Sequence, residues 1–164
     1  MLLHITKAPF MDNKKKEGRY ERIYKQLEVL MNKSNDKTAR MCTIASILHH
    51  KMEDFFWTGF YLLNSEGALV VRTYQGPVAC MELEKNVGVC WAGINTKESV
   101  VVANVEQFPG HIACDSRSKS EIVVPVKNEK GDIVGVLDVD SDKLNTFNEV
   151  DQVMLEKIVE LLNS

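Results

Sequence analysis

The sequence predicts an α+β fold in which a central, mainly antiparallel sheet carries the N- and C-terminal helices on one face and a loop-covered ligand pocket on the other. Three observations predict it. Two segments with helical spacing of apolar residues precede the first strand, and a third follows the last strand. Two pairs of strand-like segments are each joined by a short turn, as in antiparallel hairpins. An irregular segment, residues 75–120, separates the hairpins and is long enough to cover a pocket.

The helical segments are marked by their apolar spacing and by their ends. Residues 16–31 place an apolar side chain at every third or fourth position, and polar residues 32–36 end this helix and cap the next. The second helix carries the apolar stripe Met41, Ile44, Ala45 and Leu48. Thr146 followed by Glu149 predicts a capping box for the last helix, whose predicted inward residues are Val150, Val153, Met154, Ile158 and Leu161.

The strands are marked by residue type and alternation. Residues 57–63 and 68–74 flank a turn at 64–67, and residues 121–126 and 133–140 flank a turn at 128–132. Pro125 predicts an edge position or a bulge, because proline cannot donate to a sheet ladder. Inside the irregular segment we predict a short helix at 90–97 and a strand at 99–103.

Composition limits the function classes. The chain has 164 residues, 45% of them hydrophobic and 26% charged, which predicts one domain over residues 14–164 behind a flexible leader at 1–13. A formal net charge of −3 argues against nucleic-acid and membrane-surface partners. No apolar run approaches the roughly 20 residues of a membrane span, so we expect a cytoplasmic protein. The sequence does not fix the oligomeric state, and a homodimer is one open alternative.

The four cysteines are candidates for redox chemistry. A cytoplasmic protein keeps cysteines reduced unless they are catalytic or redox-sensing, and the absence of close Cys-x-x-Cys pairs predicts no metal site. Cys114 has Arg117 and Lys119 nearby, and cations lower the pKa of a thiol. Cys90 stands at the very start of the predicted short helix, whose N-terminal field would also favour a thiolate.

The other two cysteines are weaker candidates for a nucleophile. Cys80 has acidic neighbours, Glu82 and Glu84, and is more plausible as a resolving thiol that forms a disulfide. Cys42 lies within a helical pattern and is expected to be a small buried apolar residue.

Three acids lie on the predicted strands. Asp138 and Asp140 alternate with Leu137 and Val139, so both carboxylates project from the same face. They are either solvated residues beside a turn or the floor of a pocket that binds an ammonium group. Glu121 begins a neighbouring strand and is either a solvated strand-end charge or a proton donor facing the same pocket.

Other side chains allow two interpretations each. His111 is either a hydrogen-bonded loop anchor or a base for Cys114, in which case the protein would be a cysteine hydrolase. Trp57 is either a core residue or an aromatic wall for a sulfur or methyl group, whereas Phe60 is expected in the core.

Five ordered motifs, preceded by Trp57-Thr-Gly-Phe-Tyr61, resemble the free methionine-(R)-sulfoxide reductase family, which has a single-domain GAF fold. The resemblance extends from about Arg19 to Leu161, and the ordered series is more specific than any one motif. One departure lies before Phe108, where the family usually has Val-Pro-Asp-Val and this chain has Val102-Ala-Asn-Val105. The motifs are Gly76-Pro-Val-Ala-Cys80, Gly88-Val-Cys90, Phe108-Pro-Gly-His-Ile-Ala-Cys-Asp115, Ser120-Glu-Ile-Val-Val-Pro125 and Gly135-Val-Leu-Asp-Val-Asp-Ser141.

The resemblance implies an enzyme that reduces free methionine sulfoxide, with thioredoxin as the external dithiol reductant and no bound cofactor. It also implies that Cys80, Cys90 and Cys114 are the redox cysteines and that Glu121, Asp138 and Asp140 are the acids of the substrate pocket. We expect Cys114 to attack and Cys80 to resolve, with Cys90 as the alternative. A non-catalytic GAF sensor of a small molecule or of redox state is the main rival hypothesis.

Overall fold

The computed structural model describes residues 12–111 and 113–164. The predicted leader at 1–13 lies outside this range except for its last two residues, of which Asn13 already begins the first helix. The helices are α1 (Asn13–Met31), α2 (Lys37–Lys51), α3 (Gly88–Thr96) and α4 (Glu149–Glu160), with 3-10 turns at Val105–Gln107 and Leu161–Asn163. The strands are β1 (Trp57–Leu63), β2 (Leu69–Gln75), β3 (Glu82–Leu83), β4 (Val100–Val102), β5 (Ser120–Lys127) and β6 (Ile133–Ser141).

The six strands form one sheet in the order β3-β2-β1-β6-β5-β4, and every neighbouring pair is antiparallel. The predicted hairpins are β1–β2 and β5–β6, and they meet through the pairing of β1 with β6. Pro125 lies beyond the residues of β5 that pair with β4, so this part of the strand is an edge. The predicted α+β fold with an antiparallel sheet is confirmed.

The main core lies between the sheet and the helices α1, α2 and α4. Phe60, Leu137 and Val139 point into it from the strands, and Ile44 and Leu155 point into it from the helices. The N- and C-terminal helices therefore cover one face, as predicted. The short helix α3 packs on the opposite face against Val123 and Val136, in a second apolar cluster.

Several local predictions are wrong. The capping box of α4 is formed by Asn148 and Asp151, because the chain around Thr146 is held by a hydrogen bond to Ser141 and the helix starts later. Val153 is 54% exposed, and the adjacent turn of α4 buries Leu155 instead.

Cys42 is also predicted wrongly, because it is exposed on α2 and its Sγ lies 3.1 Å from the Oγ1 of Thr73. The irregular segment differs in detail from its prediction. Helix α3 begins at Gly88, strand β4 is shorter than predicted, and the two-residue strand β3 was not predicted. Among the described residues, no helix is both long and apolar enough to cross a bilayer.

A buried ionic cluster attaches α1 to α4. Asp151 is fully buried and accepts hydrogen bonds from the Lys16 Nζ at 2.6 Å and from the Tyr20 hydroxyl at 2.7 Å. Burial and the Asp151 charge raise the pKa of Tyr20 well above its ordinary value. Removing the Asp151 carboxylate would therefore deprive two buried donors, the Lys16 ammonium and the Tyr20 hydroxyl, of this acceptor.

We expect Asp151→Ala to lower the free energy of unfolding by about 3 kcal/mol, because it leaves a buried ammonium unpaired and removes the helix cap. Urea unfolding monitored by circular dichroism measures the change. Glu160→Ala, an exposed position of the same helix, is the matched control and should change stability by less than about 0.5 kcal/mol. Equal losses in the two variants would show that the cluster does not stabilise the fold.

Candidate active site

A cavity lies on the sheet face opposite to the three long helices. Its floor is formed by strands β1, β5 and β6, and its walls by the start of α3, by residues 78–84 and by the segment 113–118 together with His111. The predicted site residues that line it are Trp57, Cys90, Cys114, Glu121, Asp138 and Asp140. Cys80 does not line it but is attached to its wall through Cys114.

The strand register explains why the floor is acidic. Asp140 of β6 is directly opposite Trp57 of β1 on one side and Glu121 of β5 on the other. Directly opposed residues project from the same face of a sheet. Asp138 follows two residues from Asp140, so it adds a second carboxylate to this face, as its alternation with Leu137 predicted.

The three acids are held in a desolvated environment. Burial raises the pKa of Asp138 to about 6, while its contacts with Glu121 and Cys90 act to lower it. Burial and the charges of Asp138 and Asp140 raise the pKa of Glu121 well above its ordinary value. The pKa of Asp140 is also raised, mainly by burial and then by Asp138, while a hydrogen bond with Ser118 opposes the rise. The raised pKa values mean that these carboxyl groups keep their protons to a higher pH than ordinary carboxyl groups do.

Few cationic groups compensate the acids. Within residues 12–111 and 113–164, the one basic side chain at ion-pair distance from any of the three is His111, whose Nδ1 is 3.9 Å from the Oε2 of Glu121. Burial lowers the pKa of His111, which favours the neutral ring. This contact could not be predicted from the sequence, because Glu121 belongs to β5 and His111 to a loop that precedes it.

Three polar atoms of the cavity lining are buried and have no hydrogen-bond partner among the described residues. They are the Oδ1 of Asp138, the Nε1 of Trp57 and the Nε2 of His111. Buried polar groups are normally hydrogen-bonded, and exceptions are commonly explained by a bound molecule or a catalytic role. These atoms offer one acceptor, one donor and one ring nitrogen to a small polar ligand.

Two of the four cysteines are joined at the edge of the cavity. Cys80 and Cys114 form a disulfide with a Cα–Cα distance of 5.5 Å. Cys114 is exposed and Cys80 is half-buried. The hydroxyl of Tyr61 donates a hydrogen bond to the carbonyl oxygen of Cys80 at 2.9 Å, which fixes the loop that carries the sulfur.

Cys90 is the free thiol nearest to the acids. It is buried in the first turn of α3, and its Sγ and one oxygen each of Glu121 and Asp138 lie within 4.8 Å of one another. Burial and the nearby carboxylates raise the pKa of Cys90 well above its ordinary value. The expectation that the helix field favours a Cys90 thiolate is therefore wrong, because desolvation and the acids outweigh it. The three groups are also the candidate metal ligands of the site.

The cations expected to activate Cys114 are paired elsewhere. Arg117 donates two hydrogen bonds to the carboxylate of Asp115, at 2.9 and 2.7 Å. These bonds lower the pKa of Asp115 to about 2. Lys119 lies 3.5 Å from Glu106.

An aromatic wall stands beside the acids. The Trp57 ring is stacked against Tyr61 and Tyr74, with ring centroids 5.8 and 5.3 Å apart. It lies so close to Gly59 that a Cβ at this position would be 2.5 Å from the indole. Tyr61 was missed as a site residue, although it shares a face with Trp57 by strand alternation.

The chain is similar to known proteins over most of its length. The GAF domain model matches residues 43–163. GAF domain-containing protein A of Dictyostelium discoideum is 45% identical, over 91% of this chain and 93% of its own. The free methionine-R-sulfoxide reductase of Saccharomyces cerevisiae is 34% identical, over 98% of this chain and 92% of its own.

A solved structure agrees with these relatives. The free methionine-R-sulfoxide reductase of Neisseria meningitidis, solved in complex with its substrate, superposes with a TM-score of 0.85. It is 34% identical, and the match covers 98% of this chain and 92% of that one. Family model, sequence relatives and superposition lead to one conclusion. The chain belongs to the GAF domain family and, within it, to the free methionine-R-sulfoxide reductases.

Proposed function

We propose that the protein reduces free L-methionine-(R)-sulfoxide to methionine and stores the oxidising equivalents as the Cys80–Cys114 disulfide. The observation that carries the proposal is the position of this disulfide, at the edge of a cavity whose floor holds the carboxyl groups of Glu121, Asp138 and Asp140. The names of the yeast and Neisseria relatives support the substrate and its R configuration.

The acidic floor supports recognition of a free amino acid. Asp138 and Asp140 bind the α-ammonium group, which gives the two carboxylates a cationic partner. Trp57 packs against the methyl end of the substrate. Backbone amides of the irregular segment bind the α-carboxylate. A methionine sulfoxide inside a polypeptide has neither charge, so the same site rejects it.

The chemistry needs one nucleophile and one proton donor. The Cys114 sulfur attacks the sulfoxide sulfur while Glu121 protonates the sulfoxide oxygen. The oxygen passes to Cys114, which becomes a sulfenic acid, and methionine leaves with its sulfur reduced by two electrons. The raised pKa of Glu121 suits this role, because a carboxyl group with an ordinary pKa would have lost its proton at neutral pH.

The second half-reaction regenerates the thiols. The Cys80 thiol attacks the Cys114 sulfenic acid, which releases water and leaves the disulfide. An external dithiol, with thioredoxin as the proposed donor, then reduces the disulfide by exchange and is itself oxidised. The exposure of Cys114 makes this sulfur accessible to such a reductant. A cytoplasmic location, where thiols are kept reduced, is part of the proposal.

We expect free methionine-(R)-sulfoxide to yield methionine with dithiothreitol present, and the S epimer and an N-acetylated, amide-blocked R substrate to yield far less. Chromatography of the released methionine measures this. Without reductant, the four thiols of the reduced protein should fall to two after substrate is added. No product from either epimer would favour the GAF sensor, and an unchanged thiol count would contradict the disulfide mechanism.

A further inference from the structure

Three metal-binding side chains meet at the floor of the cavity. The Sγ of Cys90 and one carboxylate oxygen each of Glu121 and Asp138 all lie within 4.8 Å of one another, and all three side chains are buried. They come from α3, β5 and β6, which is why the cysteine spacing that predicted no metal site could not reveal them.

The unpartnered Oδ1 of Asp138 indicates that this cluster is built for a ligand. Asp138 is only 7% exposed, lines the cavity, and has no hydrogen-bond partner for this atom within the part of the chain that the structure describes. A cation at this point would satisfy the Asp138 oxygen.

The donor types select the cation. A thiolate combined with carboxylates suits Zn²⁺, whereas Mg²⁺ and Ca²⁺ take oxygen ligands almost exclusively. In a tetrahedral zinc site, neighbouring donor atoms are about 3.5 Å apart. The donor atoms lie within 4.8 Å of one another, so they need to approach by at most about 1.3 Å to bind a common zinc ion.

We propose that Cys90, Glu121 and Asp138 form a binding site for a zinc-type divalent cation when no amino acid occupies the cavity. Binding replaces the Cys90 thiol proton and the carboxyl protons with the metal, so protons are released to solvent. The metal uses the Asp138 carboxylate to which we assign the substrate ammonium, and the two ligands should exclude each other. The metal site itself does not depend on the reductase activity.

The test uses Co²⁺ as a spectroscopic probe of the zinc site in the disulfide form of the whole protein. In this form Cys42 and Cys90 are the two remaining thiols. We expect a thiolate-to-cobalt charge-transfer band in the near ultraviolet that saturates at one metal per chain and disappears when Zn²⁺ is added. Cys42→Ser, the matched control, should keep the band, and Cys90→Ser should lose it.

Asp138→Asn keeps both thiols and tests the site without removing sulfur. We expect it to weaken Co²⁺ binding at least 10-fold, and its thermal unfolding shows whether it is folded. Cys90→Ser is checked in the same way, and if it does not fold, Asp138→Asn decides the test. A band that is lost in Cys42→Ser, a wild-type protein without a band at millimolar Co²⁺, or unchanged affinity in folded Asp138→Asn would overturn the proposal.

Discussion

Replacing Cys114 by serine is expected to lower methionine formation by at least 1,000-fold, which corresponds to about 4 kcal/mol of activation free energy. A serine hydroxyl cannot accept the sulfoxide oxygen, whereas a cysteine thiol does so and becomes a sulfenic acid. Cys90 is a poor substitute nucleophile, because burial and nearby carboxylates raise the pKa of its thiol and keep it protonated. The loss should already be present in a single turnover without reductant, measured by rapid quenching and chromatography of methionine.

Two further cysteine variants make this result specific. Cys80→Ser should release about one methionine per enzyme and then stop, because the nucleophile is intact and the resolving thiol is missing. Cys42→Ser should turn over like the wild type, since Cys42 is exposed on α2 and contacts Thr73 rather than the cavity. A full first turnover in Cys114→Ser would show that the nucleophile is Cys80 or Cys90.

Replacing Glu121 by glutamine is expected to lower kcat by 100- to 10,000-fold, the usual contribution of a general acid, and to stabilise the fold at neutral pH. Glutamine keeps the shape of the side chain but cannot donate a carboxyl proton. Stability should rise because the wild type must either hold a buried charge or bind a proton at this position, whereas the amide does neither.

The pH dependence gives the sign of the stability effect. The pKa of Glu121 is raised in the folded state, so the folded protein binds a proton that the unfolded chain releases above about pH 4. The wild type therefore loses stability as the pH rises from about 4 towards the folded-state pKa, by at most about 1.4 kcal/mol per pH unit for this proton. The gain in Tm for Glu121→Gln should be larger at pH 8 than at pH 5.

A matched control separates this effect from general surface electrostatics. Glu66 is exposed in the β1–β2 turn, and Glu66→Gln should change neither kcat nor the slope of Tm with pH. A Glu121→Gln variant with wild-type kcat would show that Glu121 is not the proton donor. A constant Tm difference between pH 5 and pH 8 would show instead that its proton is not retained on folding.

The sequence predicted the architecture well, because periodicity records which face of an element is buried. The alternation of Asp138 and Asp140 with Leu137 and Val139 placed both carboxylates on the face away from the helices. The N-terminus of α4 was harder to predict, because capping depends on where the loop that precedes the helix is held. Asn148 and Asp151 form the box there.

The electrostatics of the site could not be read from neighbours in the sequence. Arg117 and Lys119 are close to Cys114 along the chain, yet Arg117 pairs with Asp115 and Lys119 pairs with Glu106. Cys90 lies in the first turn of a helix, but the acids that control its proton come from β5 and β6. In each case the deciding contact is between elements, and only the folded arrangement specifies it.

The disulfide between Cys80 and Cys114 joins two wall loops that are 34 positions apart in the chain, while the acidic floor belongs to paired strands. Reduction therefore loosens the rim and leaves the base rigid. Each catalytic cycle should accordingly alternate between a reduced form, whose loosened wall loops admit the substrate, and an oxidised form, whose loops stay cross-linked until a reductant acts. Amide hydrogen exchange in the two wall loops should therefore be slower in the oxidised protein than in the reduced protein.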